Sequence, residues 1–163
     1  MRQVFVSRGK ILVDDIPAPL LDNNSVLVEV AYSLISTGTE VTGVQRSGES
    51  LLRRAIQQPE NVKKILGILR ERGIQKTLAL VEGKLGAASP LGYSCSGVVV
   101  QVGEGVEKVK PGDWVACAGA GSANHAEVVL VPKNLVVKVP NGCNLQDAAS
   151  VTLGSIAMQR IRR

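Results

Sequence analysis

The sequence predicts a mainly β chain with a helical insert, its strands curled into a small, partly open barrel. Three observations carry this reading. Short β-branched runs recur at close intervals in the first and last thirds, each bounded by Gly, Pro, Asn or Asp. Between about Glu49 and Leu85 the apolar period changes, with Val62, Ile65, Leu66 and Leu69 at i, i+3, i+4 and i+7. The stretch Leu91 to Gly105, followed by Lys110-Pro111-Gly112-Asp113-Trp114-Val115, reads as strands separated by glycine turns.

From Gln3 to Ile35 the pattern is β: Val4-Phe5-Val6, then Lys10 to Asp14, then Val26 to Tyr32, with Asp22-Asn23-Asn24-Ser25 as a turn. A helical insert follows over about 47–88, where Pro59 suits a first helical turn and Gly73 an end. Strands return as Ser96 to Val102, Trp114 to Cys117, Ala126 to Val131 and Leu135 to Val139. Gly103-Glu104-Gly105 reads as a hairpin turn, and Pro111-Gly112 fits the centre of a type II turn. Asn144 caps a last helix with Asp147 in its first turn, where a carboxylate complements the helix dipole. That helix runs toward Arg160-Ile161-Arg162-Arg163.

The 163 residues, 45% hydrophobic and 20% charged, suit one domain with a real core. Aromatic residues make up only 2%, so Val, Leu, Ile and Ala must fill that core, and base-stacking recognition of RNA or single strands lacks its material. Cys95, Cys117 and Cys143 form no Cys-x-x-Cys pair, and no apolar leader opens the chain. No apolar run approaches the ~20 residues a bilayer crossing needs. A reduced, cytoplasmic setting and no membrane association are expected. Arg46 to Lys84 holds nine basic and four acidic residues, so the excess of five in this segment equals the formal charge of the whole chain, +5. The insert therefore has two readings: a basic lid that attracts an anionic substrate, or a helical pair with a solvated basic face.

Gly97-Val98-Val99-x-x-Val102-Gly103-x-Gly105-Val106, Lys110-x-Gly112-Asp113-x-Val115, His125-Ala126-Glu127 and Val131-Pro132 occur in order. Together with Val26 to Glu40, they resemble the successive strands of the GroES-like catalytic domain of medium-chain dehydrogenases/reductases, the zinc alcohol dehydrogenase superfamily. Ser36-Thr37-Gly38-Thr39-Glu40, the insert and Cys117-Ala118-Gly119-Ala120-Gly121 are more similar to a zinc-poor branch. That branch includes two-domain oxidoreductases linked to polysaccharide biosynthesis and the bacteriochlorophyllide dehydrogenase type. The resemblance implies a GroES-like domain over 1–144 and, over 145–163, the start of a linker helix toward a Rossmann nucleotide-binding domain. No Gly-rich strand-turn-helix unit stands in the sequence, since Gly119-Ala120-Gly121-Ser122-Ala123-Asn124 lacks a third glycine and runs into a β pattern. The chain is accordingly expected to be a truncated part of a longer enzyme, inactive alone.

The resemblance also sets expectations for chemistry. Zinc-dependent relatives place a Cys at Ser36, a His at Tyr93 and a Glu at Ser94, whereas hydroxyl residues stand at all three positions here. Neutral hydroxyls grip zinc poorly, so no zinc is expected. An alternative set of Cys95, Cys117, His125 and Glu127 would make a zinc enzyme with relocated ligands. The plainer reading makes the cysteines small buried residues and His125 a strand-edge donor. Without zinc, the implied catalytic residues are Ser36, Thr37, Glu40, Tyr93 and Ser94, with Thr39 and Thr152 toward the cofactor, NAD or NADP, bound only with a downstream nucleotide domain. Tyr93 would donate a proton, Ser36, Thr37 and Ser94 would hold substrate oxygens or relay protons, and Glu40 would orient or accept. Core packing for Tyr93 and backbone capping for the hydroxyls are the plain alternatives. The expected partner is a small-molecule substrate, a sugar or nucleotide sugar of anionic character, and no nucleic acid. The competing non-enzymatic reading is a β-barrel module that binds an anionic partner through its insert.

Overall fold

A computed structural model describes residues 1–48 and 88–162. The expected helical insert lies mostly outside the described residues. The chain divides into two compact units, the first built of Met1–Phe5, Val13–Glu40 and Pro90–Arg163, the second of Val6–Leu12 and Val41–Ser89.

The first unit is organised by a five-stranded antiparallel sheet. Its strands are β3 (Ser25–Ser33), β5 (Ser94–Val102), β6 (Trp114–Ala118), β7 (Val128–Pro132) and β8 (Val136–Lys138), in the order β7-β3-β5-β6-β8. A smaller sheet is made of β1 (Arg2–Ser7), β2 (Lys10–Asp15) and β4 (Ser89–Pro90), in the order β2-β1-β4. The five-stranded sheet is the curled half-barrel that the strand spacing predicts, and the predicted strands all occur, with ends shifted by a residue or two.

Local chemistry explains the turns. Asp113 N–H donates to the Lys110 carbonyl at 3.1 Å and Gly112 sits at φ +86°, as a type II turn requires. In the Asp22–Ser25 turn, Ser25 N–H reaches the Asp22 carbonyl at 3.3 Å and Asn24 takes φ +58°. The second unit holds the tip of the β1–β2 hairpin, Arg8-Gly9, with both residues at positive φ.

Side-chain alternation sorts the sheet into two faces. Val26, Val28, Cys95, Val99, Val115, Cys117, Val129 and Val131 pack with Val109 and Ala123 into the main core. On the other face, Ala116 and Val139 meet Leu145 and Ala148 of α2 (Leu145–Ala148). Strand β5 serves both sides: Cys95 faces the core, whereas Ser94 and Ser96 face the C-terminal helices, all three fully buried. Ser94 Oγ donates to the Ala149 carbonyl at 2.6 Å, and Ser96 Oγ donates to that of Leu145.

Two helical expectations need correction. The β reading of Val26 to Glu40 ends early, because β3 stops at Ser33 and α1 (Thr37–Gly48) has already begun at Thr37. At this start the Glu40 carboxylate accepts from Ser36 N–H at 3.0 Å, and Glu40 N–H makes the helix's first backbone bond, to the Ser36 carbonyl at 2.9 Å. The final helix is also two pieces, α2 and α3 (Val151–Ile161). Ser150 separates them, its hydroxyl turned back onto the Asp147 carbonyl at 2.7 Å. Asn144 caps α2 as expected, its Oδ1 accepting from Asp147 N–H at 2.7 Å. No described helix is long and apolar enough to cross a membrane.

Candidate functional site

The predicted site residues gather into two adjoining clusters in the first unit. One surrounds the start of α1. Ser36 Oγ donates to Thr39 Oγ1 at 3.3 Å, and Glu40 Oε1, besides holding Ser36 N–H, lies 3.1 Å from His125 Nε2. The other nitrogen of that ring, Nδ1, lies 2.9 Å from Ser33 Oγ at the end of β3. The His125 and Glu40 side chains are only 9% and 13% exposed, so water screens their interaction weakly. Thr37, the first residue of α1, faces solvent.

The second cluster surrounds the start of β5. The Tyr93 carbonyl accepts from Gly119 N–H at 2.9 Å and from Thr152 Oγ1 at 3.3 Å. Ser94 Oγ, committed to Ala149, also receives Thr152 N–H at 3.4 Å. Here Tyr93, Ser94 and Thr152 are joined by bonds that seat α3 on the sheet. Leu34 N–H donates to the Ser94 carbonyl at 3.0 Å, which ties the two clusters together.

Sequence reasoning passes over Ser33 and takes His125 only as a relocated zinc ligand or a strand-edge donor. A solitary histidine beside Asn124 carries no spacing signal, and its partners stand 85 and 92 residues away in sequence. Its backbone does act at a sheet edge, donating to the Leu91 carbonyl at 2.8 Å and accepting from Val4 N–H at 2.9 Å. The ring, by contrast, is turned to Glu40 and Ser33.

Ser33 and His125 line a shallow, open depression of about 380 Å³ whose walls include Arg2, Val13, Val30 and Glu127. Arg2 grips Glu127 with its guanidinium at 2.7 Å and its backbone N–H at 2.9 Å. The Arg2 backbone N–H, then its side chain, hold the Glu127 carboxyl below the usual carboxylate range.

Among the described residues no group of three or more His, Cys, Asp or Glu side chains is placed to hold a metal. The donors of the relocated set are engaged elsewhere: Cys95 and Cys117 face each other across β5 and β6 in the core, His125 meets Glu40, and Glu127 meets Arg2. A hydrogen bond with Cys95 and then burial push the Cys117 thiol far up.

Comparison with known proteins agrees with this frame. Residues 73–141 match the family described as the alcohol dehydrogenase GroES-like domain. Among curated relatives, the reducing polyketide synthase PKS1 of Cochliobolus heterostrophus is 36% identical over 78 residues, covering 48% of this chain and 3% of that protein. The mitochondrial enoyl-[acyl-carrier-protein] reductase of Mus musculus is 28% identical over 122 residues, covering 75% and 30%. In fold, the chain is similar to the quinone oxidoreductase of Pseudomonas syringae pv. tomato, with TM-score 0.65 and 17% identity over 99% of this chain and 40% of that one. It is also similar to the Escherichia coli quinone oxidoreductase solved with NADPH, with TM-score 0.61 and 15% identity, covering 92% and 36%. The chain thus spans 30% or less of these curated relatives and about 40% of these solved structures. Residues 73–141 thus carry the likeness to the alcohol dehydrogenase GroES-like domain, in a fold shared with these oxidoreductases over the part covered.

Proposed function

We propose that this chain is the catalytic-domain part of an NAD(P)-dependent oxidoreductase that works without zinc, in the cytoplasm, on a small and anionic sugar-like substrate. The observation that carries the reading is the GroES-like frame with hydroxyl side chains at the positions of the metal donors. Ser94 makes the point most directly, because its hydroxyl is fully buried and bonded to the Ala149 carbonyl. A hydroxyl committed in this way is a poor ligand for an ion in a cleft.

A nicotinamide, when bound, supplies or accepts hydride. The protein's part is then to orient the substrate and move one proton. Tyr93 and Thr37 serve as donors to substrate oxygens, Ser36 and Glu40 shape the loop at the start of α1, and Thr39 and Thr152 face the cofactor. The basic insert draws in the anionic substrate.

The test uses the natural polypeptide that contains this domain. NADH- or NADPH-linked reduction of a panel of sugar carbonyls should persist in the presence of a chelator, with zinc well below one per chain by metal analysis. Y93F should lower kcat by roughly 10-fold, the scale of one lost hydrogen bond to the substrate oxygen. One tightly held zinc per chain whose removal abolishes turnover would overturn the zinc-free reading, and unchanged Y93F turnover would remove Tyr93. Tight capture of an acidic ligand with no nicotinamide turnover would favour the binding module.

A further inference from the structure

We propose that Ser33, His125 and Glu40 form a proton relay whose outer member, Ser33, meets the substrate oxygen. The proposal deepens the oxidoreductase reading and rests on it. Three features of the site carry it.

Both nitrogens of the only histidine in the chain are engaged, Nε2 by Glu40 Oε1 at 3.1 Å and Nδ1 by Ser33 Oγ at 2.9 Å. An ionised carboxylate only accepts, so Nε2 carries a hydrogen in either state of the ring. In the neutral ring, Nδ1 must then accept from the Ser33 hydroxyl. In the doubly protonated ring, Nδ1–H donates to Ser33 Oγ and turns the serine's own hydrogen outward. The doubly protonated state holds one proton more, which Ser33 can pass outward, and the heavy atoms need not move.

Glu40 is fixed independently of the histidine, since Ser36 N–H also donates to the same oxygen at 3.0 Å. The carboxylate is thereby a positioning group that locks the ring's tautomer and balances its charge when doubly protonated. Ser33 and His125, in turn, line the depression, whose wall is otherwise largely apolar, with Val4, Val13, Val30 and Ala126. The charges in the relay and around the depression are Glu40 on α1, Arg2 on β1 and Glu127 beside β7, the last two paired with each other.

In carbonyl reduction, hydride from a reduced nicotinamide reaches the carbonyl carbon while the carbonyl oxygen takes the Ser33 hydroxyl proton. Ser33 recovers a proton from His125 Nδ1, which leaves a neutral ring with its Nε2–H on Glu40. Water returns the spent proton to the ring. Alcohol oxidation runs the same steps backward.

The single imidazole allows a direct test without turnover. In the purified chain, 15N shifts should place the neutral ring's hydrogen on Nε2, and E40Q should speed exchange of that hydrogen with solvent. In the natural polypeptide, S33A and H125Q should each lower kcat about 100-fold with little change in KM. H125Q should also flatten the pH profile of kcat, and S33T, which keeps a hydroxyl, should recover most of the rate. A neutral ring protonated on Nδ1, or an S33A enzyme at wild-type kcat, would overturn the relay while the oxidoreductase reading stands. A wild-type polypeptide with no nicotinamide-linked turnover would overturn that reading, and the relay with it.

Discussion

Ser94 shows how a residue's neighbours in space outrank its place in a motif. The aligned position implies a role beside the substrate, yet its hydroxyl is buried and holds the Ala149 carbonyl at 2.6 Å, with Thr152 N–H behind it at 3.4 Å. S94A leaves that buried carbonyl without its hydroxyl donor, so it should lower stability by about 1–3 kcal/mol in a denaturant titration. A stability unchanged by S94A would mean that the bond contributes nothing net. His125 gives the converse lesson, since its motif context is bland while the fold gives both its nitrogens partners. Nothing local to Asn124-His125-Ala126 announces either one.

At the scale of elements, β5 does most to position the site, because it pairs with both β3 and β6 and supplies contacts to both faces of the sheet. Gly97 makes the β3–β5 pairing close. A Cβ there would run into the Glu29 carbonyl, a backbone atom that cannot swing aside. G97A should therefore spread the two strands and cost at least about 3 kcal/mol, beyond ordinary overpacking, as read from the denaturation midpoint. A variant of near wild-type stability would show that the strands can part cheaply. The glycine was legible in the sequence as part of a strand-and-turn run, whereas the reason for it was not. The start of α1 was not legible: the Glu40 carboxylate reaches back to Ser36 N–H over four residues, a spacing that no local capping pattern marks.

For the molecule as a whole, acid sensitivity follows from two surface carboxylates tied to distant segments. Lys138 Nζ lies 2.6 Å from Asp113 Oδ1, and that bond, then one from the Lys110 backbone N–H, holds the Asp113 carboxyl below its ordinary range. Arg2 does the same for Glu127, first through its backbone N–H and then through its side chain. A carboxyl whose folded-state value is depressed binds protons less readily folded than unfolded. Its contribution is therefore complete above the ordinary carboxylate range and is lost as pH falls through the folded value. The urea midpoint should drop as pH falls below that range, and the D113N and E127Q variants should each show a shallower drop. An acid limb in both variants identical to that of the parent chain would place the sensitivity elsewhere.

The sequence by itself determined the strand-and-turn framework and the likeness to the alcohol dehydrogenase GroES-like domain, because β-branched runs, Gly and Pro turns and the Asn144 cap act over a few residues and are written locally. Only the tertiary structure decided which side chains meet. Antiparallel register brings Ser33, Glu40 and His125 together across separations of 85 and 92 residues, and strand alternation sends Ser94 toward a helix end while Cys95 enters the core. Such meetings depend on how distant segments pair, and that pairing leaves no periodic mark on the chain.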